Sequence, residues 1–533
     1  MNYQIEVLDT TLRDGAQAEG VSFSCDDKFR IAMALDRLGI TYIEGGNPAS
    51  NPKDKNFYDT ACKLPFKNAR LTAFGSTRKK DSTVENDSGI NALLESGVEV
   101  LTIFGKCWDL HVDKVLQTTL EENLQMIYDT VRYLSARGKT VIFDAEHFFD
   151  GYVFNTDYAL ESARVAVEAG ASCLVLCDTN GSVFPDQAYT VVNKVVHQFD
   201  VPVGVHFHND CGLAVANTMA AVKAGAVHIQ GTLIGFGERC GNANLGTIIA
   251  NLQLKSNIRC IAADQMVNLA PTARMVAEIA NIKMNEADPY TGNSAFAHKG
   301  GMHVDGVLKE ASSFEHIDPQ TVGNKRRFLL SEVSGKRAIQ TWIHKIDPAM
   351  SKDAALSELV IGRLKELENE GYQFEGAESS LELVVRKCLN NYKPFFELVH
   401  YKIIGEHPPT EERSTCSLVK IKVEGKEEIA SAEGTGPVHA LDKALRRALE
   451  IFYPVLKEIH LSDYKVRVVN PAEATGAKVR VLIESTDGID VWHTVGVSTD
   501  IIEASFYALA DSIEYKLMKH YAKMQPALGK GEL

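Results

Sequence analysis

Hydrophobic positions in the first half of the chain follow two alternating rhythms. Short, nearly continuous apolar runs recur at YQIEVLDTTLR (3–13), TYIEGG (41–46), ARLTAFGST (69–77), EVLTIFGKC (99–107) and TVIFDAEHF (140–148). Three more follow at SCLVLCDTNG (172–181), VPVGVHFHND (201–210) and VHIQGTLIGFGE (227–238). Such runs read as strands covered on both faces, which is the pattern of a parallel sheet. Between them, stretches such as LEENLQMIYDTVRYLSARG (120–138) and DYALESARVAVEAG (157–170) place apolar residues at helical spacing. In SCDDKFRIAMALDRLG (24–39), Ser24 and Asp27 have capping-box spacing and Gly39 stands where the helix should stop. Eight strand–helix repeats over about 250 residues predict a (β/α)8 TIM barrel at residues 1–257. A doubly wound open sheet is the competing architecture. The count of eight disfavours it, as does the lack of a GxGxxG turn after the first strand.

Beyond the barrel the pattern changes. Residues 258–373 read as a mostly helical linker that includes ADQMVNLAPTARMVAEIANI (263–282) and ALSELVIGRLKELENEG (355–371). They enclose a Gly-rich stretch, 291–327, in which His298, His303 and His316 favour a functional lid over disorder. Residues 374–533 predict a regulatory α+β domain. In it EIASAEGTGPVHALDKALRRAL (428–449) and VWHTVGVSTDIIEASFYALADSI (491–513) look like two copies of one strand–turn–helix unit.

Composition adds exclusions. With 45% hydrophobic and 24% charged residues the chain is of ordinary globular type, and 533 residues imply two or three domains. A net charge of -14 argues against nucleic acid as a partner. No apolar run approaches the roughly 20 residues of a membrane span. The N-terminal residues enter a strand at once, so no signal peptide is expected. Ten cysteines without a CxxC pair point to the reducing cytoplasm.

The candidate chemistry starts at VHFHND. His206 and His208 are two apart on a strand, so both imidazoles point the same way. A strand with two packed core histidines accounts for the spacing as well as a metal site does. The barrel reading separates the two, because reacting groups in such barrels gather at the C-terminal strand ends. Those ends carry Arg13 and Asp14, Glu146, Thr179, His206 and His208, and then GFGERCGN with Asn242. Asp14, His206 and His208 make a two-imidazole, one-carboxylate set suited to a divalent cation, and Asn242 can add a neutral oxygen. The ligand types leave Mn, Zn, Co and Mg all open.

DTTLRDGAQ (9–17), HFHND (206–210) and GFGERCGN (235–242) together resemble the signatures of the DRE-TIM metallolyase family, and the resemblance runs over nearly the whole chain. Its members include synthases that join acetyl-CoA to a 2-oxo acid. The resemblance implies Asp14, His206, His208 and Asn242 as metal ligands, Arg13 as a catalytic and substrate-binding arginine, and Thr179 on the substrate carboxylate. It implies Glu146 and His303 at the proton-transfer step, with His303 entering the partner subunit's site in a homodimer. The run from AFAHKGG to NKRR, with FDAEHFFDGY and CDTNG, points to the members that use pyruvate. It also implies a place in isoleucine biosynthesis by way of 2-oxobutanoate, with isoleucine as effector at the C-terminal domain. Phe314 departs from the pattern, since related synthases have Tyr there; this leaves open which residue is the general base. The alternatives are a 2-isopropylmalate or homocitrate synthase acting on a bulkier acid, a hydroxymethylglutaryl-type C–C lyase, and a metabolite sensor without catalysis.

Overall fold

The computed structural model describes residues 4–329, 340, 343–344, 346, 354–374, 376–389, 392–410, 413–469, 476–488 and 490–524. All eight expected runs form strands: β1 (Glu6–Asp9), β2 (Tyr42–Glu44), β3 (Arg70–Ser76), β4 (Val100–Lys106), β5 (Thr140–Glu146), β6 (Cys173–Asp178), β7 (Val203–Phe207) and β8 (His228–Gly231). Each pairs in parallel with the next, and β1 pairs with β8 in register Glu6↔His228 to Asp9↔Gly231. The sheet is therefore a closed barrel, and the open doubly wound alternative falls away.

Inside the barrel, Leu8, Tyr42, Val100, Ile142, Cys173, Val175 and Cys177 form an apolar cluster built from strand residues alone. It fills the interior as side-chain layers do in such barrels. Residues that alternate outward along the strands, such as Val7, Ile43, Leu101, Phe143 and Leu176, join the larger core with the surrounding helices. Helix Cys25–Leu38 shows how local sequence secures one of these helices. The Ser24 side chain accepts from the Asp27 N–H, and the Asp27 carboxylate accepts from the Ser24 N–H at 2.9 Å. A cap of this kind stabilises by about 1 kcal/mol. Gly39 ends the helix at φ 91°, a left-handed conformation that suits glycine.

The described chain divides into two compact units, Met1–Phe296 with Glu315–Arg326, and Ala297–Phe314 with Arg327–Leu533. The Gly-rich stretch is ordered structure rather than one long loop. Ala297–His298 pairs in parallel with Arg327–Phe328, and Gly301–Lys309 is a helix. The C-terminal part holds two three-stranded antiparallel sheets. Strands Glu397–Thr410, Arg413–Val423 and Lys426–Gly434 precede helix Pro437–Glu450; His460–Val468, Val479–Thr486 and Val491–Ser498 precede helix Ile501–Met524. The two expected copies of the strand–turn–helix unit are thus present. They share one core, with Val419, Ile421, Leu441 and Leu445 from the first and Val481, Ile483, Leu509 and Ile513 from the second. Among the described residues, no helix is long and apolar enough to cross a membrane.

Candidate active site and metal centre

The ends of five strands, β1, β5, β6, β7 and β8, supply the residues at the mouth of the barrel. After β1 the backbone turns back on itself, with the Arg13 and Asp14 N–H groups both donating to the Thr10 carbonyl. The turn aims the Asp14 carboxylate at the end of β7. Its Oδ2 lies 3.4 Å from His206 Nε2 and 4.0 Å from His208 Nε2. The two imidazole Nε2 atoms are 3.4 Å apart. All three side chains are buried, and their ligand atoms lie within 4.8 Å of one another. Asn242 is buried too and forms an isolated bridge with His208. Gly237 is needed for this approach: a Cβ there would stand 2.2 Å from Asn242 Nδ2 and 3.3 Å from Asp14 Oδ1.

Whether a cation suits this set can be read from the polar atoms left over. Asp14 Oδ1 and both amide atoms of Asn242 are buried with no hydrogen-bond partner. An unpaired buried acceptor costs about 1–3 kcal/mol, and the ones here belong to residues grouped with His206 and His208. One carboxylate, two imidazoles and an amide oxygen are the donor set of a divalent metal with positions left for substrate. The residues fit such an ion.

Electrostatics reinforce the reading. Burial alone would raise the Asp14 carboxyl, but the Arg13 guanidinium and the two imidazoles hold it far below the usual carboxylate range. Burial, followed by the neighbouring His206, brings His208 down to about 4, so its imidazole is neutral and able to ligate. Arg13 Nε donates to Glu44 Oε2 at 2.6 Å, Nη1 reaches Asp14 Oδ2 at 3.3 Å, and the guanidinium lies 3.9 Å from the Phe74 ring centre. Held on three sides, the guanidinium is fixed beside the Asp14 carboxylate.

A cavity of about 360 Å³ opens over this cluster and is lined by Arg13, Asp14, Glu146, Thr179, His206 and His208, with Phe74 and Phe104 along one side. The two phenyl rings stack at 5.0 Å. Thr179 Oγ1 accepts from the His147 N–H at 3.0 Å, which leaves its hydroxyl hydrogen for a second acceptor. Glu146 Oε2 sits 2.5 Å from Lys106 Nζ. His303 is placed differently. It is an exposed residue of helix Gly301–Lys309 in the second unit, where it stacks on Phe314 at 4.3 Å. The barrel mouth therefore brings together Arg13, Asp14, Glu146, Thr179, His206, His208 and Asn242, and His303 is not among the residues lining the cavity.

Sequence reasoning passed over Glu44, Asp144 and Gln230. All three are buried inside the barrel. Burial pushes Asp144 up to about 7, with the Glu44 charge adding to the effect. Burial also raises Glu44, against the pull of Arg13. The available signal was a polar residue interrupting an apolar strand: Glu in TYIEGG, Asp in VIFDAE and Gln in VHIQG.

The HMGL-like family model matches residues 4–277, the span that contains the barrel and every residue of this cluster. The chain belongs to the DRE-TIM metallolyase family. The rest of the chain also follows known models, with residues 290–371 matching the homocitrate synthase post-HMGL domain-like model and residues 375–517 the LeuA allosteric (dimerisation) domain. The chain is 51% identical to the (R)-citramalate synthase of Aquifex aeolicus, over 97% of this chain and 99% of that one. It is 47% identical to the (R)-citramalate synthase of Geobacter sulfurreducens, over 97% and 98%. Identity to the 2-isopropylmalate synthase of Methanocaldococcus jannaschii is 31%, over 97% and 95%. The family expected from DTTLRDGAQ, HFHND and GFGERCGN is the family found.

Proposed function

We propose that the barrel mouth condenses acetyl-CoA with pyruvate and water to give (R)-citramalate and CoA. The chain is an enzyme of the citramalate synthase type, a transferase that converts an acetyl group to an alkyl group. The observation that carries the site reading is the buried set of Asp14, His206 and His208 with Arg13 fixed beside it.

Asp14, His206, His208 and Asn242 would hold a divalent ion. When bound, that ion supplies Lewis-acid polarisation of the 2-oxo acid's keto group. Arg13 faces the oxygen on which negative charge builds as the keto carbon is attacked, and a fixed guanidinium is worth most where water is excluded. The free hydroxyl hydrogen of Thr179 is available to the substrate carboxylate. Glu146 orients, and His303 from the partner subunit of a homodimer assists, the removal of a proton from the acetyl methyl. The new C–C bond joins that methyl carbon to C2 of pyruvate, and water then cleaves the thioester to release CoA. Phe314, stacked on His303, carries no hydroxyl and takes no part in proton transfer. Residues 1–257 form the catalytic segment, 258–373 the linker and lid, and 374–533 the regulatory segment. The product feeds isoleucine synthesis through 2-oxobutanoate in the cytoplasm, and isoleucine acts back on the C-terminal domain.

A thiol-release assay with acetyl-CoA and a panel of 2-oxo acids tests this. Release with pyruvate, and little with branched or longer acids, is expected. Preference for a bulkier acid would move the chain to the 2-isopropylmalate or homocitrate type, and no release with any acid would refute synthase activity. Truncation after residue 380 should abolish isoleucine inhibition of the full chain; inhibition that persists would remove the effector from the C-terminal domain.

A further inference from the structure

His206 is held by more than its own strand. Its Nδ1, on the side of the ring away from Asp14, lies 3.0 Å from Gln230 Oε1. Gln230 stands level with it on the neighbouring strand, in register His206↔Gln230. On its other side the Gln230 amide crosses the barrel interior to β5, where Nε2 donates to Asp144 Oδ1 at 2.9 Å. Gln230 is fully buried, Asp144 is 3% exposed and His206 is 5% exposed, so water does not compete for these bonds.

The chain of bonds has a direction. An amide presents a donor at one end and an acceptor at the other. A carboxyl group offers an acceptor oxygen to the donor end, so Asp144 turns the Gln230 nitrogen toward itself and the oxygen toward His206. An oxygen facing Nδ1 calls for a proton on Nδ1. A neutral imidazole protonated at Nδ1 has its lone pair on Nε2, the atom that faces Asp14 Oδ2 and His208 Nε2 at 3.4 Å each. His208 has no such support, since its Nδ1 is buried without a hydrogen-bond partner.

We infer that Gln230 is a positioning residue of the metal centre: its amide, oriented by Asp144, holds His206 in the tautomer whose Nε2 can ligate. The inference rests on the metal reading of the site. Gln230 itself touches neither substrate nor ion; it acts through the imidazole.

The test uses the full-length apo-protein and Mn²⁺ alone, followed by calorimetry, so that no step depends on turnover. Gln230→Met, which keeps the volume and removes the acceptor, should weaken Mn²⁺ binding by about 10–100-fold. The double variant Gln230→Glu with Asp144→Asn reverses the donor and acceptor between those two residues but still offers His206 an acceptor. It should bind Mn²⁺ more tightly than Gln230→Met. Unchanged affinity in Gln230→Met, or a double variant no better than it, overturns the inference. If Gln230→Met does not fold, nitrogen NMR of histidine-labelled wild-type apo-protein, at a pH high enough for His206 to be neutral, decides alone: a proton on Nδ1 of His206 supports the relay, and a proton on Nε2 refutes it. A wild-type protein that binds no Mn²⁺ while its His206 carries the Nδ1 proton would count against the metal reading and leave the relay standing.

Discussion

The barrel mouth and the duplicated C-terminal unit treat buried polar groups in opposite ways. At the mouth, Asp14 Oδ1, His208 Nδ1, Glu44 Oε1 and both amide atoms of Asn242 are buried without hydrogen-bond partners. In the C-terminal unit the comparable groups are mostly paired. Trp492 Nε1 donates to Ser512 Oγ at 2.9 Å, and Ser512 Oγ donates to Ser485 Oγ at 2.7 Å. Thr494 Oγ1 donates to the Ala508 carbonyl, and Glu514 accepts from the Phe395 N–H at 3.0 Å. Leaving buried atoms unpaired is costly, so a fold keeps them where a ligand completes them. Paired groups orient helices against sheets and need no ligand. The contrast fits the chemistry proposed for the mouth and a packing role for the paired groups of the C-terminal unit.

That contrast is most severely challenged at the proposed ligands. Asp14→Ala or His206→Ala should lower turnover by at least about 10²–10³-fold and reduce bound metal, while circular dichroism shows the barrel folded. Full metal content in either variant would end the reading of the mouth as a metal centre. Next in size is Arg13→Lys. An ammonium cannot bond Glu44 and face Asp14 together as the guanidinium does, so most turnover should be lost, about 10²-fold, with metal content kept. Near-native rates would take Arg13 out of the reaction.

On the other side of the comparison, Leu441→Ala deletes a fully buried side chain from the core of the C-terminal unit. Denaturant unfolding should show a loss of about 2–5 kcal/mol, while Mn²⁺ stoichiometry stays at its wild-type value. A parallel fall in metal content would show that the two regions do not behave independently. The smallest effect is expected at Asp9, which burial pushes from the ordinary 3.8 up to about 7. Between those values the folded chain keeps a proton that the unfolded chain has released, so this group's contribution to stability falls as pH rises from about 4 to about 7. Asp9→Asn removes that loss. Its gain in melting temperature, about 2–4 °C, should be larger at pH 8 than at pH 5, and an equal gain at both would contradict the assignment.

Much of this was legible along the chain. Eight alternating runs specified the barrel because strand and helix periods differ and closure at eight strands buries both faces of every one. The duplicated strand–turn–helix pattern survived into two matching sheets for the same reason. His206 and His208 were visible because a period of two puts them on one face, and Asp14 because it follows the C-terminal end of β1.

The tertiary structure decided what periodicity cannot express. Only closure of β1 on β8 carries Asp14 to within 3.4 Å of an imidazole that lies 192 positions away in sequence. The Glu44 carboxylate on Arg13, the Asp144–Gln230–His206 chain across the barrel interior and the unpaired atoms of Asn242 depend on distances between strands that local spacing does not encode. A residue's own neighbours fix which way its side chain points, and the closed sheet alone fixes what it meets there.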